Sequence, residues 1–441
     1  MDAATRLPAR ETLSATKSGR GLEKIAPLVA WSLLVAVAVA WGIELRDTHP
    51  EMKLHAPPLF GRFDIRIDPQ VLPALALAVA AVLLAPRVAR RASWRTLLLA
   101  ATGAAIAWAV ALAISEGVDS LTAPLLGRHD YLRAAASIDS PRAFLGSLTT
   151  DITRWPIHVQ GHPPGMVLLL WGLGRLGLGG AGPAAALVIA AGASTVPAAM
   201  IVVRELADER AARAAAPFLV FVPAAVWIAT SADALYGGVI AWSIALLVLA
   251  SRRGGARSGP LALAGGVLFG AALFLTYGAA PLALIPVTVC AMRRRLAPLV
   301  WGAAGIVAVG AGFWAAGFWW PDGLAATLDA YGSGVSADRP FSYFAVANLA
   351  AFAIALGPAS ALGLAALRDR RLWLIVGAAL VAVAAADLSG LSKGEVERIW
   401  LPFVPWVVIS TCALRPQITR AALTLQVVTA ISIQVGVLTP W

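Results

Sequence analysis

Three short clusters in this 441-residue sequence carry side chains fit for chemistry. In the first, His129-Asp130-Tyr131, a carboxylate stands between an imidazole and a phenol; in the second, His158 and His162 lead into Gln160-Gly161-His162-Pro163-Pro164-Gly165. Histidines four apart can share one helical face, and Asp130 or His129 could complete a metal set. Two histidines without a fixed third ligand are a weak pattern, however, and Pro163-Pro164 oppose a helix running through both. A divalent metal is compatible with these residues, but no cofactor is firmly implied. The third cluster is Ser392-Lys393-Gly394-Glu395-Val396-Glu397-Arg398-Ile399-Trp400. The planar fork of an arginine can hold two phosphate oxygens and Lys393 could add charge, so Arg398 and Lys393 are candidate anion ligands. The competing reading is a solvated ion cluster in which Glu395 and Glu397 neutralise them.

The elements that must position these residues are membrane helices. A chain that is 59% hydrophobic and 13% charged, with a mean hydropathy of +0.77, is too apolar for a water-soluble protein of this size. Its net charge of +11 need not mean nucleic acid, because the Lys and Arg sit in short clusters between apolar runs, where positive residues retain loops in the cytoplasm. Cys290 and Cys412 both fall inside apolar runs, which supports neither a disulfide framework nor a thiolate metal site.

Run length, breakers and basic clusters predict an all-α polytopic membrane protein of about 13 transmembrane helices, near 25–45, 71–86, 96–115, 184–203, 214–232, 234–251, 260–276, 279–292, 299–318, 345–366, 372–389, 400–414 and 421–438. Residues 1–24 form an expected cytoplasmic tail, and 25–441 a single integral membrane domain. The apolar stretch 163–178 is short and ends in a glycine-rich turn, so it is expected to lie along or dip into the outer leaflet. With the N-terminus inside, the inner segments carry 23 Lys/Arg against 7 Asp/Glu, and the outer ones 12 against 17. The inner side then holds the clusters at Arg87/Arg90/Arg91/Arg95, Arg252/Arg253/Arg257, Arg293/Arg294/Arg295 and Arg368/Arg370/Arg371, while all five histidines lie outside. Outer-face Lys393 and Arg398 run against that tendency and so call for another reason.

The long outer loop 116–183 holds the first two clusters, with juxtamembrane helices expected in it, and 389–400 forms a second outer loop. Asp233 lies at a helix boundary, where it would act as a cap or bind a sugar hydroxyl. Trp319-Trp320 and Tyr331 are expected as an interfacial belt, and Gly302, Gly305 and Gly310 as points of close helix approach.

An acidic residue outside a helix, juxtamembrane helices, the His162-Pro163-Pro164 turn opening an apolar helix, the outer Ser231-Ala232-Asp233 and the glycine-rich run 265–277 together resemble the glycosyltransferase C superfamily. The nearest-looking branch is that of the protein O-mannosyltransferases and aminoarabinose transferases, over about residues 96–320. In that family the loop usually follows the first helix, whereas here it follows the third, and its acidic motif is often a pair where here Asp130 stands between His129 and Tyr131.

The resemblance implies inverting transfer of a hexose or pentose from a polyprenyl-phosphate donor to a glycan, lipid or protein acceptor, outside a bacterial plasma membrane. Asp130 would be the base, with His129 beside it. Arg398, Lys393 and His162 would hold the donor phosphate, and Tyr131, His158, Asp233 and Glu397 the substrate. Membrane lipids are the expected surroundings, and no nucleic-acid partner is expected. The runner-up is a transporter or flippase of a lipid-linked or small polar substrate. Span interiors nearly free of charge argue for chemistry at one face, while Pro197, Pro223, Pro281, Pro286, Pro358 and Pro405 are breaks that transport could use. A noncatalytic envelope scaffold is the third alternative.

Overall fold

The computed structural model describes residues 15–49, 52, 54–252, 255–334 and 337–439. Arg253, named above, lies outside the described residues, as do residues 1–14 of the expected tail. The chain is an all-α polytopic membrane protein, apart from one pair of two-residue strands. Among the described residues, ten helices are long and apolar enough to cross a membrane, or eleven if a pair bent by 89° counts as one span.

Eleven of the expected runs match these helices closely. The other two are broken into shorter pieces where proline intervenes. The run at 214–232 is a helix, Glu209–Val220, followed by a 3-10 turn, Pro223–Trp227, and the run at 279–292 is a 3-10 segment, Tyr277–Ala283, ahead of Leu284–Met292. Proline removes an amide donor and clashes with the preceding turn, and Pro223 and Pro281 both stand in 3-10 segments. The first helix begins at Ala15, so the last ten residues of the expected tail are helical. Helix Gly165–Arg175 has 11 residues, about 16 Å at the helical rise, which is too short for a hydrocarbon core of ~30 Å.

Lipid-facing and core-facing sides separate cleanly. Val29, Leu33 and Val37, and likewise Leu75, Val79 and Leu83, are exposed at four-residue spacing, so each forms an apolar stripe that only lipid or another apolar surface can cover. Small residues face inward. A side chain on Gly266 would strike the Gly302 carbonyl, and one on Gly305 the backbone of Leu263 and Val267, so helices Gly259–Leu273 and Ala297–Ala315 meet backbone to backbone. Gly310 differs from the expectation, since no neighbour lies within 4 Å of its Cβ position. Spans Ala232–Ala250 and Val396–Ala413 are the most enclosed, with 78% and 83% of their apolar windows buried. They are also the spans whose first turns carry Asp233 and Arg398.

Contacts between distant segments gather at the two ends of the bundle. At one end Arg213 donates to the carbonyls of Ala89 (2.7 Å) and Ala92 (2.8 Å), and the Arg204 guanidinium lies 4.4 Å from the Trp94 ring centre. Glu205 there binds Arg252 (3.1 Å) and Arg293 (2.8 Å), and Arg371 donates to the Leu206 carbonyl. At the other end strand Arg62–Phe63 pairs antiparallel with Val437–Leu438, while Glu116 takes a salt bridge from Arg66 (2.8 Å) and a hydrogen bond from Gln434 (2.8 Å). Trp320 donates to the Leu273 carbonyl, and the Tyr331 hydroxyl accepts from the Lys393 amide. Both therefore fasten segments together in addition to any interfacial role, whereas Trp319 is exposed.

The bent pair, Phe341–Leu356 and Pro358–Ala366, breaks at Gly357, whose φ of +76° is the left-handed region where glycine is favoured. Gln426 closes the break, donating to the Leu356 carbonyl (2.9 Å) and accepting from the Ala359 amide (3.1 Å). These two bonds satisfy backbone groups that could find no water at that depth.

Replacing Gly266 with leucine should destabilise the protein by about 1–3 kcal/mol or more through overpacking, whereas Gly310→Leu should stay within ~0.5 kcal/mol. Thermal unfolding of both variants in detergent checks this, and equal effects would contradict the packing described.

Candidate functional site

Asp130 is the N-cap of helix Tyr131–Ser137, its Oδ1 accepting from the Tyr131 amide at 2.6 Å. Asp, Asn, Ser and Thr suit this place because a short side-chain oxygen reaches an otherwise unpaired helix amide. Its Oδ2 remains directed at His158 Nδ1, 3.6 Å away. The His158 amide donates to the His129 carbonyl (3.3 Å), which draws the two halves of the loop together. His158 and His162 do not share a long helical face, since helix Ile157–Gln160 is one turn and ends at Gly161. Instead His162 Nδ1 bonds the His158 carbonyl at 2.9 Å. Pro164 then caps helix Gly165–Arg175, and the Gly165 amide donates to the Phe274 carbonyl at 2.7 Å. A side chain at 165 would collide with that carbonyl, so this position requires glycine.

The rings pack tilted and edge-on into one cluster. Tyr131 lies 5.9 Å, centre to centre, from both His158 and His162, and His162 lies 5.7 Å from Tyr236. The Tyr236 hydroxyl is buried and turned toward Tyr131 without a well-formed hydrogen bond. Burial, followed by the Asp233 charge, pushes the Tyr131 phenol well above its usual pKa. Burial also lowers His162 below the usual 6.5, an effect the Asp233 charge only partly offsets. The carbonyl partner requires the proton on Nδ1, so neutral His162 presents a lone pair at Nε2. That suits an incoming hydroxyl better than a phosphate oxygen, whereas a hydrogen bond to the donor phosphate was expected.

Asp233 and Arg398 form the floor. Arg398 Nη1 meets Asp233 Oδ2 at 2.7 Å across 165 residues of sequence, and Nη2 binds the Glu395 carboxylate. Asp233 is not itself the cap of its helix. Ser231 is, and its hydroxyl also donates to Asp233 Oδ2 at 3.1 Å. Both segments that deliver a carboxylate to Arg398 contain a non-glycine residue in the left-handed region, Thr230 at φ +76° and Glu395 at φ +62°. For threonine, branched at Cβ, this is an outlier of the kind that persists only where surroundings impose it.

Three expected residues lie differently. The His129 ring is exposed and accepts from Arg128 Nε at 3.0 Å, and burial followed by the Arg128 charge lowers its pKa. Lys393 is half-buried, its Nζ donating to the Ala337 carbonyl at 3.2 Å. Glu397 is buried and accepts from the Phe60 amide at 2.8 Å, tying the 46–70 loop to the 389–400 loop, while the salt bridges of Arg398 go to Asp233 and Glu395. Among the described residues, no three His, Cys, Asp or Glu side chains are grouped to hold a metal ion.

Sequence reasoning missed Tyr236 and Arg339. Tyr236 is three residues beyond Asp233 on one helix, a spacing that puts both on one face. Arg339 donates to the Lys393 carbonyl at 2.6 Å and lies over the Phe60 and Phe344 rings. The expected topology puts it on the same side as Arg398, so the same departure from the inside bias could have found it.

No protein-family model matches the chain, and no curated protein matches it. Removing one partner of the buried pair should be costly: Arg398→Met or Asp233→Leu should each lose about 3–5 kcal/mol, and the double variant should recover much of that loss. A double-mutant cycle of unfolding midpoints checks the coupling. His162 binds its proton less readily folded than unfolded, so its contribution is complete above pH 6.5 and declines as pH falls below that value. His162→Asn should flatten the stability profile below pH 6.5.

Proposed function

We propose that this chain is a membrane glycosyltransferase that moves a hexose or pentose, with inversion, from a polyprenyl-phosphate donor to an acceptor hydroxyl outside a bacterial plasma membrane. The observation that carries the reading is the convergence of a buried arginine with Asp130, His162 and two tyrosines at one end of an apolar bundle. The glycosyltransferase C resemblance of the Asp130 loop and the His162-Pro163-Pro164 turn supports the donor class and the stereochemistry.

The reaction divides among these groups as follows. Asp130 Oδ2 takes the proton of the acceptor hydroxyl, which His162 Nε2 helps to orient. The acceptor oxygen bonds to the anomeric carbon from the face opposite the phosphate. The carbon–oxygen bond to the phosphate breaks and its electron pair stays on the departing polyprenyl phosphate. Arg398 stabilises that charge. Asp233, held by Ser231, fixes one edge of the guanidinium, while Glu395 is partly exposed and on a strained backbone. Glu395 is therefore the carboxylate that a donor phosphate would displace, presenting the same oxygens to the same fork.

Thirteen passes with the N-terminus inside are the proposed path. It is supported by the contacts at the two ends: Ala89, Arg204, Glu205, Arg213, Arg252, Arg293 and Arg371 meet on the side the path assigns to the cytoplasm. Phe60, Glu116, Asp130, Asp233, Arg398 and Gln434 belong to the other. The glycan, lipid or protein acceptor lies outside. The transporter or flippase reading is favoured by the 89° break at Gly357, but Gln426 already satisfies the backbone groups exposed there, which leaves them less available to a passing substrate.

With labelled polyprenyl-phosphate sugars, Asp130→Asn should lower turnover by ~10²–10⁴ while leaving donor binding unchanged. Arg398→Ala should abolish donor binding, and Glu395→Gln should tighten it. Unchanged turnover in Asp130→Asn and Arg398→Ala would refute the assignment. Uptake of intact donor into vesicles without transfer would replace it with transport.

A further inference from the structure

A cavity of about 250 Å³ opens at the same end of the bundle, between the turns after helix Trp94–Ala113, the 3-10 segment Pro223–Trp227 and the end of helix Pro416–Gly436. By the same measure one water needs ~10–15 Å³, so the space suits a molecule of many heavy atoms. Glu116, Ser120, Gly127, Val226, Ala229 and Gln434 are among its walls.

Three of the four polar side chains in this lining, Glu116, Ser120 and Gln434, hold oxygens that can accept a further hydrogen bond. The Glu116 oxygens take one bond from Gln434 (2.8 Å) and one from Arg66 (2.8 Å), and a carboxylate oxygen can accept a second. Ser120 directs its proton to the backbone carbonyls of Gly117 and Ala113, leaving its oxygen lone pairs for a ligand. One amide proton of Gln434 is committed to Glu116, and its amide oxygen adds another acceptor. Arg66, the cation bonded to this wall, is matched by Glu116. Such a lining repels phosphates and carboxylates and favours a ligand with many O–H donors, while Val226 and Ala229 offer an apolar wall to the C–H face of a ring. The cavity also adjoins the reacting groups, since the Gly127 carbonyl accepts from the Asp130 amide at 3.1 Å and Ala229 leads through Thr230 and Ser231 to Asp233.

We infer that this cavity binds a neutral saccharide, which on the proposed function makes the acceptor a glycan rather than a protein or an anionic lipid. The inference rests on that reading for the word acceptor, though saccharide binding stands independently of it.

The test is equilibrium binding of maltotriose and arabinotriose to the detergent-solubilised full chain, by saturation-transfer NMR and calorimetry, with maltose phosphate as the anionic comparison. Ala123 is an exposed wall residue, so Ala123→Trp narrows the space without disturbing the core. Gln434→Ala removes a polar wall by a second route. A neutral trisaccharide should bind the wild type and lose roughly tenfold in affinity with each variant. No binding of either trisaccharide, equal binding to wild type and Ala123→Trp, or a preference for maltose phosphate would overturn the inference. Trisaccharide binding without turnover of any polyprenyl-phosphate sugar would leave the cavity assignment standing and sink the proposed function. Sugar transfer whose acceptor KM is unmoved by Ala123→Trp would do the reverse.

Discussion

A guanidinium buried near one end of the bundle governs the rest of this site. Arg398 is too strongly charged to be buried without partners, and burying it alone would cost several kcal/mol. Asp233 and Glu395 supply those partners from two different segments. The pairing sets the relative placement of the two most enclosed spans, because each carries one half of the ion pair in its first turn. It also accounts for the strained backbone at Thr230 and Glu395, since the chain must turn sharply to present a carboxylate to a fixed fork.

The opposite end obeys the same rule with a different outcome. Glu205 gathers Arg252 and Arg293, Arg213 ties two carbonyls, and Arg204 covers Trp94, so cations at that end serve as fasteners among helix ends. At the Arg398 end the cations of the site, Arg339 and Arg398, face aromatic rings and a histidine turn. A neutral histidine, two phenols and a carboxylate beside a buried cation form a region of low dielectric in which a developing phosphate charge would be held strongly. The Arg66–Glu116–Gln434 cluster adds a wall whose own charges are internally matched, which is why its remaining capacity is for hydroxyl donors.

Much of this was legible in the residues. Asp130, Asp233 and Arg398 could be singled out because each is a charge near the mouth of an apolar run, and the histidines because they all fall on one side. What could not be read was which charge met which. Glu397 and Glu395 are two residues apart, yet one turns inward to Phe60 and the other faces Arg398, because a left-handed residue at 395 reorients the turn. Lys393 likewise looked equivalent to Arg398 and instead reaches Ala337. The protonation of His162 depends on the Tyr131 and Tyr236 rings around it, and nothing in the local spacing around 162 announces the second of these.

The sequence by itself determined the solvent this protein lives in, the positions of most of its helices and the end of the bundle toward which its polar groups are drawn. Run length and charge bias act locally against a lipid slab of constant thickness, so they need no knowledge of neighbours. Only the tertiary structure decided that Arg398 would face Asp233 and that Gln434 would reach Glu116. Those partners are separated by 165 and 318 residues, and a contact of that range depends on how helices pack side by side, which no local pattern records.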